Sequence, residues 1–251
     1  MADSQVKFNK ILEEAENDPN IIGFWVGGSR GKGMVTQYSD YDCVVVVKDE
    51  VLDEYKKKYK ELEDQDFEFW VKTLQIFRDH AELGTEHAWD RYNFSHTEPL
   101  VDKTGGEIKK LFQEKGVLPQ EKIKDFVSDN LDGYINKIYR SLKCFRDGDN
   151  IAAQLEAAES ISYLLNVMFG LEGRLKPYYK YLQWELKNYS LEKLPWTPDI
   201  FLEKIMFIAK TADISTQQEI LRTIEPIFRS GGYGDILDGW KEKLDWMKNY
   251  S

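Results

Sequence analysis

The sequence has few of the features that define several large classes of protein. Only two of its 251 residues are cysteine, Cys43 and Cys144, so no disulfide framework is predicted. The longest apolar runs, such as Val44 to Val47, are far shorter than the roughly 20 residues that cross a membrane. The first residues lack the basic and apolar regions of a secretory signal peptide. These absences predict a cytoplasmic protein with no membrane partner.

Clustered positive charge is also absent. The chain has 34 Lys and Arg against 44 Asp and Glu, a net charge of -10, and most of the negative excess lies in the first 120 residues. Because binding to nucleic-acid phosphates requires clustered Lys and Arg, the composition disfavours a DNA-binding protein. Two interpretations of the acidic half remain open: solvated helix faces together with the acids of a metal site, or a cleft that attracts a cationic substrate.

Two common ligand-binding motifs are missing as well. The glycine-rich segment 28–33 lacks the spacing of a G-x-x-x-x-G-K-[ST] loop, which disfavours a P-loop kinase. His80, His87 and His96 lack the i, i+4 spacing of a helical zinc pair. These histidines are therefore interpreted as surface or core residues.

What is present changes in character along the chain. Strands are predicted at 21–26, 41–47, 67–77 and 94–101, with helices at 4–17, 49–63, 79–91 and 108–115. Strand patterns stop after Leu118-Pro119, and helices are predicted at 120–147, 150–171, 175–189, 198–211, 215–229 and 235–248. The sequence thus predicts an α+β chain, with a sheet-containing domain at 1–117 and an all-α helical bundle at 118–251.

The most informative pattern is a turn of small residues followed by two carboxylates. Gly27-Gly28-Ser29 follows the first apolar strand, and Asp40 and Asp42 lie at the start of the second. Residues two apart in a strand point to the same face, so the two carboxylates are expected to converge. Convergent carboxylates beside backbone N–H groups can hold a magnesium ion and a polyphosphate, which favours phosphoryl or nucleotidyl transfer.

Residues of the turn are candidates for phosphate binding. Gly28 allows the backbone to approach the phosphates because it has no Cβ. Ser29 can cap the following helical turn and donate to a phosphate oxygen. Arg30 or Lys32 can balance the phosphate charge.

The ordered set resembles the nucleotidyltransferase superfamily that includes DNA polymerase β and the antibiotic nucleotidyltransferases. The family motif is Gly-Ser followed by Asp-x-Asp, here Gly28-Ser29 and Asp40-x-Asp42. The resemblance implies a small mixed β-sheet flanked by helices, Mg²⁺ and ATP as cofactor and co-substrate, and a third carboxylate from a later strand. The helical half is similar in layout to bacterial aminoglycoside nucleotidyltransferases, in which a helical domain closes over the substrate.

The third carboxylate has three candidates. Glu68 lies inside the predicted strand 67–77, and Asp66 lies just ahead of it. Because the two have equal parity, strand alternation cannot separate them, and Glu68 is favoured for its place inside the strand. Asp90 is a third choice, interpreted more readily as the partner of Arg91 or another neighbour.

The helical half offers candidates for nucleotide binding and for a general base. The segment 174–181 has three cations and three tyrosines; Lys180 is predicted to hold triphosphate oxygens, and Tyr178 or Tyr181 to stack on the nucleotide. The alternative is a helix start with snorkelling lysines and core tyrosines. Glu156 and Glu159 lie at helical spacing, as a possible general base within the resemblance or as part of a solvated helix face.

Together with the resemblance, these patterns predict a magnesium-dependent adenylyltransferase with Asp40, Asp42 and Glu68 as catalytic metal ligands. The acidic balance favours a cationic, aminoglycoside-like antibiotic as the hydroxyl acceptor, and hence a role in antibiotic resistance. A lincosamide, another small metabolite, a protein or a tRNA is an alternative acceptor, and a non-catalytic nucleotide-binding regulator is an alternative function. Some antibiotic nucleotidyltransferases are dimers, so a homodimer is a further expectation.

Overall fold

The computed structural model describes residues 2–251, and the chain divides into two compact units. One unit ends at Val117 and the other spans Leu118–Ser251. A small mixed β-sheet belongs to the first unit, and long helices follow in the second, which confirms the predicted α+β fold class. Within residues 2–251, no helix combines the length and apolar character that a membrane crossing requires.

The first unit is built around a sheet with the strand order β3-β2-β1-β4. Its strands are β1 (Ile21–Val26), β2 (Tyr41–Val47), β3 (Phe67–Thr73) and β4 (Val101–Asp102). Its helices are α1 (Ala2–Asn17), α2 (Gly28–Gly31), α3 (Leu52–Lys60), α4 (Leu74–Asp79) and α5 (Glu107–Lys115), with 3₁₀-helical turns at Asp49–Val51 and Ala88–Phe94. Strand β1 is antiparallel to β2 and β4, whereas β2 and β3 are parallel.

Helices cover both faces of the sheet, which explains the continuous apolar run in β2. Cys43 and Val45 pack into a buried cluster that contains residues of α1 and α3. Val44 and Val46 point to the opposite face and pack with residues of α4 and α5. A strand whose two faces are both covered has no polar alternation, as in a buried strand of an α/β layer.

Three predicted elements of the first unit are wrong. The strand predicted at 67–77 ends at Thr73, because the Thr73 hydroxyl accepts the N–H of Ile76 and caps α4. The helix predicted at 79–91 is interrupted after α4, where Ala81 adopts a φ of +59°. The strand predicted at 94–101 shortens to β4, with a φ of +57° at His96. Left-handed φ values are incompatible with a continuing helix or strand.

The second unit consists of helices around a core of its own. They are α6 (Gln120–Arg146), α7 (Asn150–Gly170), α8 (Tyr179–Asn188), α9 (Pro198–Thr211), α10 (Ile214–Ser230), α11 (Gly234–Gly239) and α12 (Glu242–Asn249). The core includes Leu131, Leu165, Phe169, Phe201 and Phe228, all fully or almost fully buried. The helix predicted at 235–248 is divided into α11 and α12, since Lys241 between them has a φ of +48°.

Candidate active site

The turn after β1 brings Gly28 against Asp42. The N–H of Gly27 donates to the carbonyl oxygen of Asp42 at 2.8 Å, so the turn continues the pairing of β1 with β2. Gly28 has a φ of +55°, and a Cβ atom there would lie 1.8 Å from Oδ2 of Asp42. Any other residue here would have to shift the Asp42 carboxylate and adopt a left-handed φ, so the position favours glycine.

The parallel pairing of β2 with β3 places a second carboxylate beside Asp42. Asp42 and Glu68 are register partners at the starts of their strands. Partners in adjacent strands are about 4.8 Å apart and share one face of the sheet. Asp42 is partly buried, whereas Glu68 is exposed. Asp40 lies just before β2, and its carbonyl oxygen accepts Nε–H of Arg30 at 3.0 Å.

The other two candidates for the third carboxylate have different surroundings. Oδ2 of Asp66 accepts a hydrogen bond from the Ser4 hydroxyl at 2.5 Å. Asp90 lies in the 3₁₀-helical turn, where Oδ2 is 2.5 Å from Nε2 of His80 and Oδ1 accepts from the amide of Asn93. Glu68 is the register partner of Asp42, and its role as the third carboxylate stays a prediction.

The carboxylates near the turn suit an ion that is shared with a nucleotide. Among residues 2–251, no three His, Cys, Asp or Glu side chains form a group that could hold a metal ion by themselves. Magnesium is usually held by one or two protein carboxylates, with water and substrate phosphates completing its octahedron. Asp42, whose carboxylate lies against Gly28, fits that requirement. Asp40 lies two residues away in the sequence and Glu68 is the register partner of Asp42, so both are further candidate oxygen donors.

Two cations of the turn bind main-chain carbonyl groups. Nε and Nη2 of Arg30 both donate to the carbonyl oxygen of Ser39, at 3.1 and 2.8 Å. Nζ of Lys32, which is 7% exposed, donates to the carbonyl oxygens of Tyr92 at 2.9 Å and Ser95 at 2.5 Å. Ser29 is buried within α2. Hydrogen bonds of Arg30 thus connect the turn to the residues just before β2, and those of Lys32 connect it to Tyr92 and Ser95.

In the helical unit, the predicted nucleotide-binding residues lie at the start of α8. Tyr178 is the residue before the helix, and Lys180 is exposed, with Nζ 5.5 Å from the ring centroid of Tyr181. Lys176 was not singled out by the sequence. Its Nζ donates to the hydroxyl of Ser162 at 2.7 Å, and burial lowers its pKa. Its position before Pro177, in the same cationic segment, is the signal that could have identified it.

Both candidate general bases take part in ion pairs between α6 and α7. Oε1 of Glu156 lies 2.6 Å from Nε of Arg140, and Oε2 lies 3.0 Å from Nζ of Lys137. Oε2 of Glu159 lies 2.9 Å from the same Lys137 nitrogen. These contacts give both carboxylates a structural role, and their role as a base stays a prediction.

Cys43 contributes no nucleophile to the site. Its side chain is fully buried in β2, on the face opposite Asp42. Burial raises the pKa of the thiol to about 12, and the charge of Asp42 adds to the effect. A thiol with that pKa remains protonated near neutral pH, so Cys43 is a packing residue.

One comparison with known proteins matches the part of the chain that contains these residues. No curated protein matches the chain significantly. Residues 7–84 match the family model of the nucleotidyltransferase domain, a range that includes the Gly28-Ser29 turn, Asp40, Asp42 and Glu68. Such a domain acts on a nucleoside triphosphate, so nucleotidyl transfer is the supported class of reaction. Residues 7–84 are therefore similar to the nucleotidyltransferase domain of the DNA polymerase β-like superfamily.

Proposed function

We propose that this protein transfers AMP from ATP to a hydroxyl group of a small molecule in a magnesium-dependent reaction. The observation that carries the proposal is the arrangement at the start of β2. There the Asp42 carboxylate lies against the backbone of Gly28, and Asp42 is the register partner of Glu68 on the adjacent strand β3. Nucleotidyl transfer requires such carboxylates beside a backbone that can receive a polyphosphate.

In this proposal, Asp40, Asp42 and Glu68 hold the magnesium ion, which supplies neutralisation of phosphate charge when bound. Gly28 and Ser29 are the proposed contacts to the phosphates, since they begin the helical turn α2 directly after β1.

Further contacts complete the proposal. Lys180 and Tyr178 are the proposed contacts to the nucleotide. Glu156 or Glu159 is the proposed proton acceptor.

The favoured acceptor is a cationic, aminoglycoside-like antibiotic. The support is the excess of acidic residues in the half of the chain that carries the carboxylate motif. A lincosamide, another small metabolite, a protein or a tRNA hydroxyl would use the same chemistry. A non-catalytic nucleotide-binding regulator is the second candidate function, because Glu68 is exposed and no group of three possible metal ligands is formed within residues 2–251.

The test is pyrophosphate release from ATP and magnesium, measured with aminoglycosides, lincosamides, tRNA and no acceptor. We expect release with one class of acceptor and a mass increase of that acceptor by one AMP. Asp42→Asn should abolish release and leave the melting temperature within a few degrees, since Asn keeps the size of the side chain. Turnover by Asp42→Asn would reject the proposed site, and ATP binding without release would favour the regulator.

A matched pair of variants identifies the third carboxylate. Glu68→Gln should lower the rate at least about 100-fold, because a metal ligand supplies several kcal/mol of transition-state stabilisation. Asp66→Asn should leave the rate within a few-fold and lower the stability instead, because Asp66 binds Ser4. The opposite outcome would assign the third carboxylate to Asp66.

A further inference from the structure

Arg30 follows the Gly28-Ser29 turn, and its contacts run toward the carboxylate strand. Nε lies 3.1 Å from the carbonyl oxygen of Ser39 and 3.0 Å from that of Asp40, and Nη2 lies 2.8 Å from the Ser39 oxygen. One guanidinium therefore holds two consecutive carbonyl groups immediately before β2. The planar, forked geometry of arginine suits such a double contact.

The same guanidinium packs on an aromatic column. Its central carbon lies 3.8 Å from the ring centroid of Tyr41. The Tyr41 ring stacks on Phe67, with centroids 4.6 Å apart and planes within 5°. Nζ of Lys7 lies 4.5 Å from the centroid of Phe67. The column thus joins the start of β2 to the start of β3.

The aromatic column lies directly behind the carboxylates. Tyr41 precedes Asp42 in β2, and Phe67 precedes Glu68 in β3, and both pairs are in register. Successive residues of a strand point to opposite faces, so the rings and the carboxylates occupy the two sides of the same strand starts. Any contact that fixes Tyr41 also fixes the backbone that carries Asp42.

We propose that Arg30 is a positioning residue that holds Asp40 and Asp42 against the Gly28-Ser29 turn and does not bind the nucleotide phosphates. This inference rests on the proposed function for its catalytic part. Its structural part, the anchoring of the turn to β2, is independent of any activity. A phosphate ligand would present its donors to the substrate, whereas the Nε–H and one Nη2–H of Arg30 are used by main-chain oxygens of Ser39 and Asp40.

The first experiment is hydrogen exchange of the whole chain without ligands, followed by mass spectrometry. Arg30→Met keeps most of the side-chain length and removes the charge and the donors. We expect exchange in peptides covering 27–31 and 39–42 to become at least tenfold faster. Arg78→Met is the control, because Arg78 pairs with Glu107 elsewhere in the first unit. Unchanged exchange in Arg30→Met would overturn the anchoring role.

The second experiment separates positioning from phosphate binding by steady-state kinetics with ATP. A positioning role predicts that Arg30→Met lowers kcat at least tenfold, with the KM for ATP within about twofold. Arg30→Lys should recover part of the lost rate, since lysine keeps the charge and one donor position. A higher KM with unchanged kcat and unchanged exchange would show that Arg30 is a phosphate ligand.

Tyr41→Leu provides the independent check. If Arg30 acts through Tyr41, the double variant should lose no more kcat than the more impaired single variant. Losses that multiply would reject the shared role, as would wild-type kcat in the folded fraction of Arg30→Met. A wild-type protein without turnover would reject the proposed function, while the exchange measurement would still decide whether Arg30 anchors the turn.

Discussion

At the scale of single residues, three glycines near the site have distinct physical demands. Gly28 combines a φ of +55° with a Cβ position 1.8 Å from the Asp42 carboxylate. Gly33 has a φ of +71° but faces open space, and Gly27 has neither a positive φ nor a close contact. Substitutions at the three glycines therefore distinguish the effect of backbone strain from the effect of a collision with the Asp42 carboxylate.

We predict that alanine at these glycines has graded effects. Gly28→Ala should abolish nucleotidyl transfer because its Cβ displaces Asp42. Gly33→Ala should lower the free energy of unfolding by about 1 kcal/mol through backbone strain, with activity largely kept. Gly27→Ala should be close to wild type in stability. Urea unfolding and pyrophosphate release measure both effects, and an active Gly28→Ala would contradict the close contact.

Cys43 and Cys144 should differ in reactivity. Burial raises the pKa of the Cys43 thiol to about 12, whereas Cys144 is partly exposed. Because the thiolate is the reactive form, iodoacetamide at pH 8 should alkylate Cys144 in the native protein and leave Cys43 unmodified. Mass spectrometry checks the sites, and denatured protein, in which both should react, is the control. Native labelling of Cys43 would show that β2 opens readily.

The sequence was informative about residues where spacing alone defines the geometry. Gly28, Asp40 and Asp42 could be selected from their order after and before apolar strands. Glu68 and Asp66 could not be separated, because both have the same parity; the structure pairs Glu68 with Asp42 and joins Asp66 to Ser4. The hydrogen bonds of Arg30 could not be predicted either, because their acceptors are main-chain carbonyl groups, which every residue has.

At the scale of elements, β1 and β2 were predicted with the bounds that the structure shows. Each is a short apolar run bounded by turn residues. Strand β3 was predicted four residues too long, since the apolar residues after Thr73 continue the pattern. The periodicity of apolar residues does not distinguish short segments of strand from short segments of helix. In this chain the Thr73 cap marks the end of β3 and the start of α4.

Replacing the cap of α4 tests this explanation. Thr73→Val keeps the shape of the side chain and removes the hydroxyl that accepts the N–H of Ile76. We expect the free energy of unfolding to fall by about 1 kcal/mol, as for other N-caps. Thr73→Ser, which keeps the hydroxyl, should lose less. Denaturant unfolding gives both values, and equal losses would indicate that packing of the methyl group matters more than the cap.

At the scale of the whole molecule, the change from strand to helical patterns was enough to predict an α+β fold. Each buried cluster draws its residues from one unit, with the helical core between Val127 and Met247. Finer divisions were missed where one residue has an unusual backbone, as at Lys241 between α11 and α12. Such unusual backbone conformations depend on tertiary packing, so the periodicity of apolar residues does not predict them.

The separate cores predict that the helical unit folds alone. Residues 118–251, produced as a fragment, should show a helical circular dichroism spectrum and a cooperative thermal transition. The fragment should begin at Leu118, because its N–H donates to the carbonyl oxygen of Gly173 within the unit. A broad, non-cooperative transition would show that the helical core requires the first unit.

The contact between Gly28 and Asp42 has a consequence for how the protein can evolve. Every missense change at a glycine codon adds a Cβ, and here that atom would collide with the carboxylate. We therefore expect every single-base missense substitution at Gly28 to shift the Asp42 carboxylate, so that none changes the site by a small step. The neighbouring loop is different, because Val35 and Tyr38 are exposed and Gly33 faces open space. We expect natural variation to accumulate in this loop and selection to hold Gly28 constant.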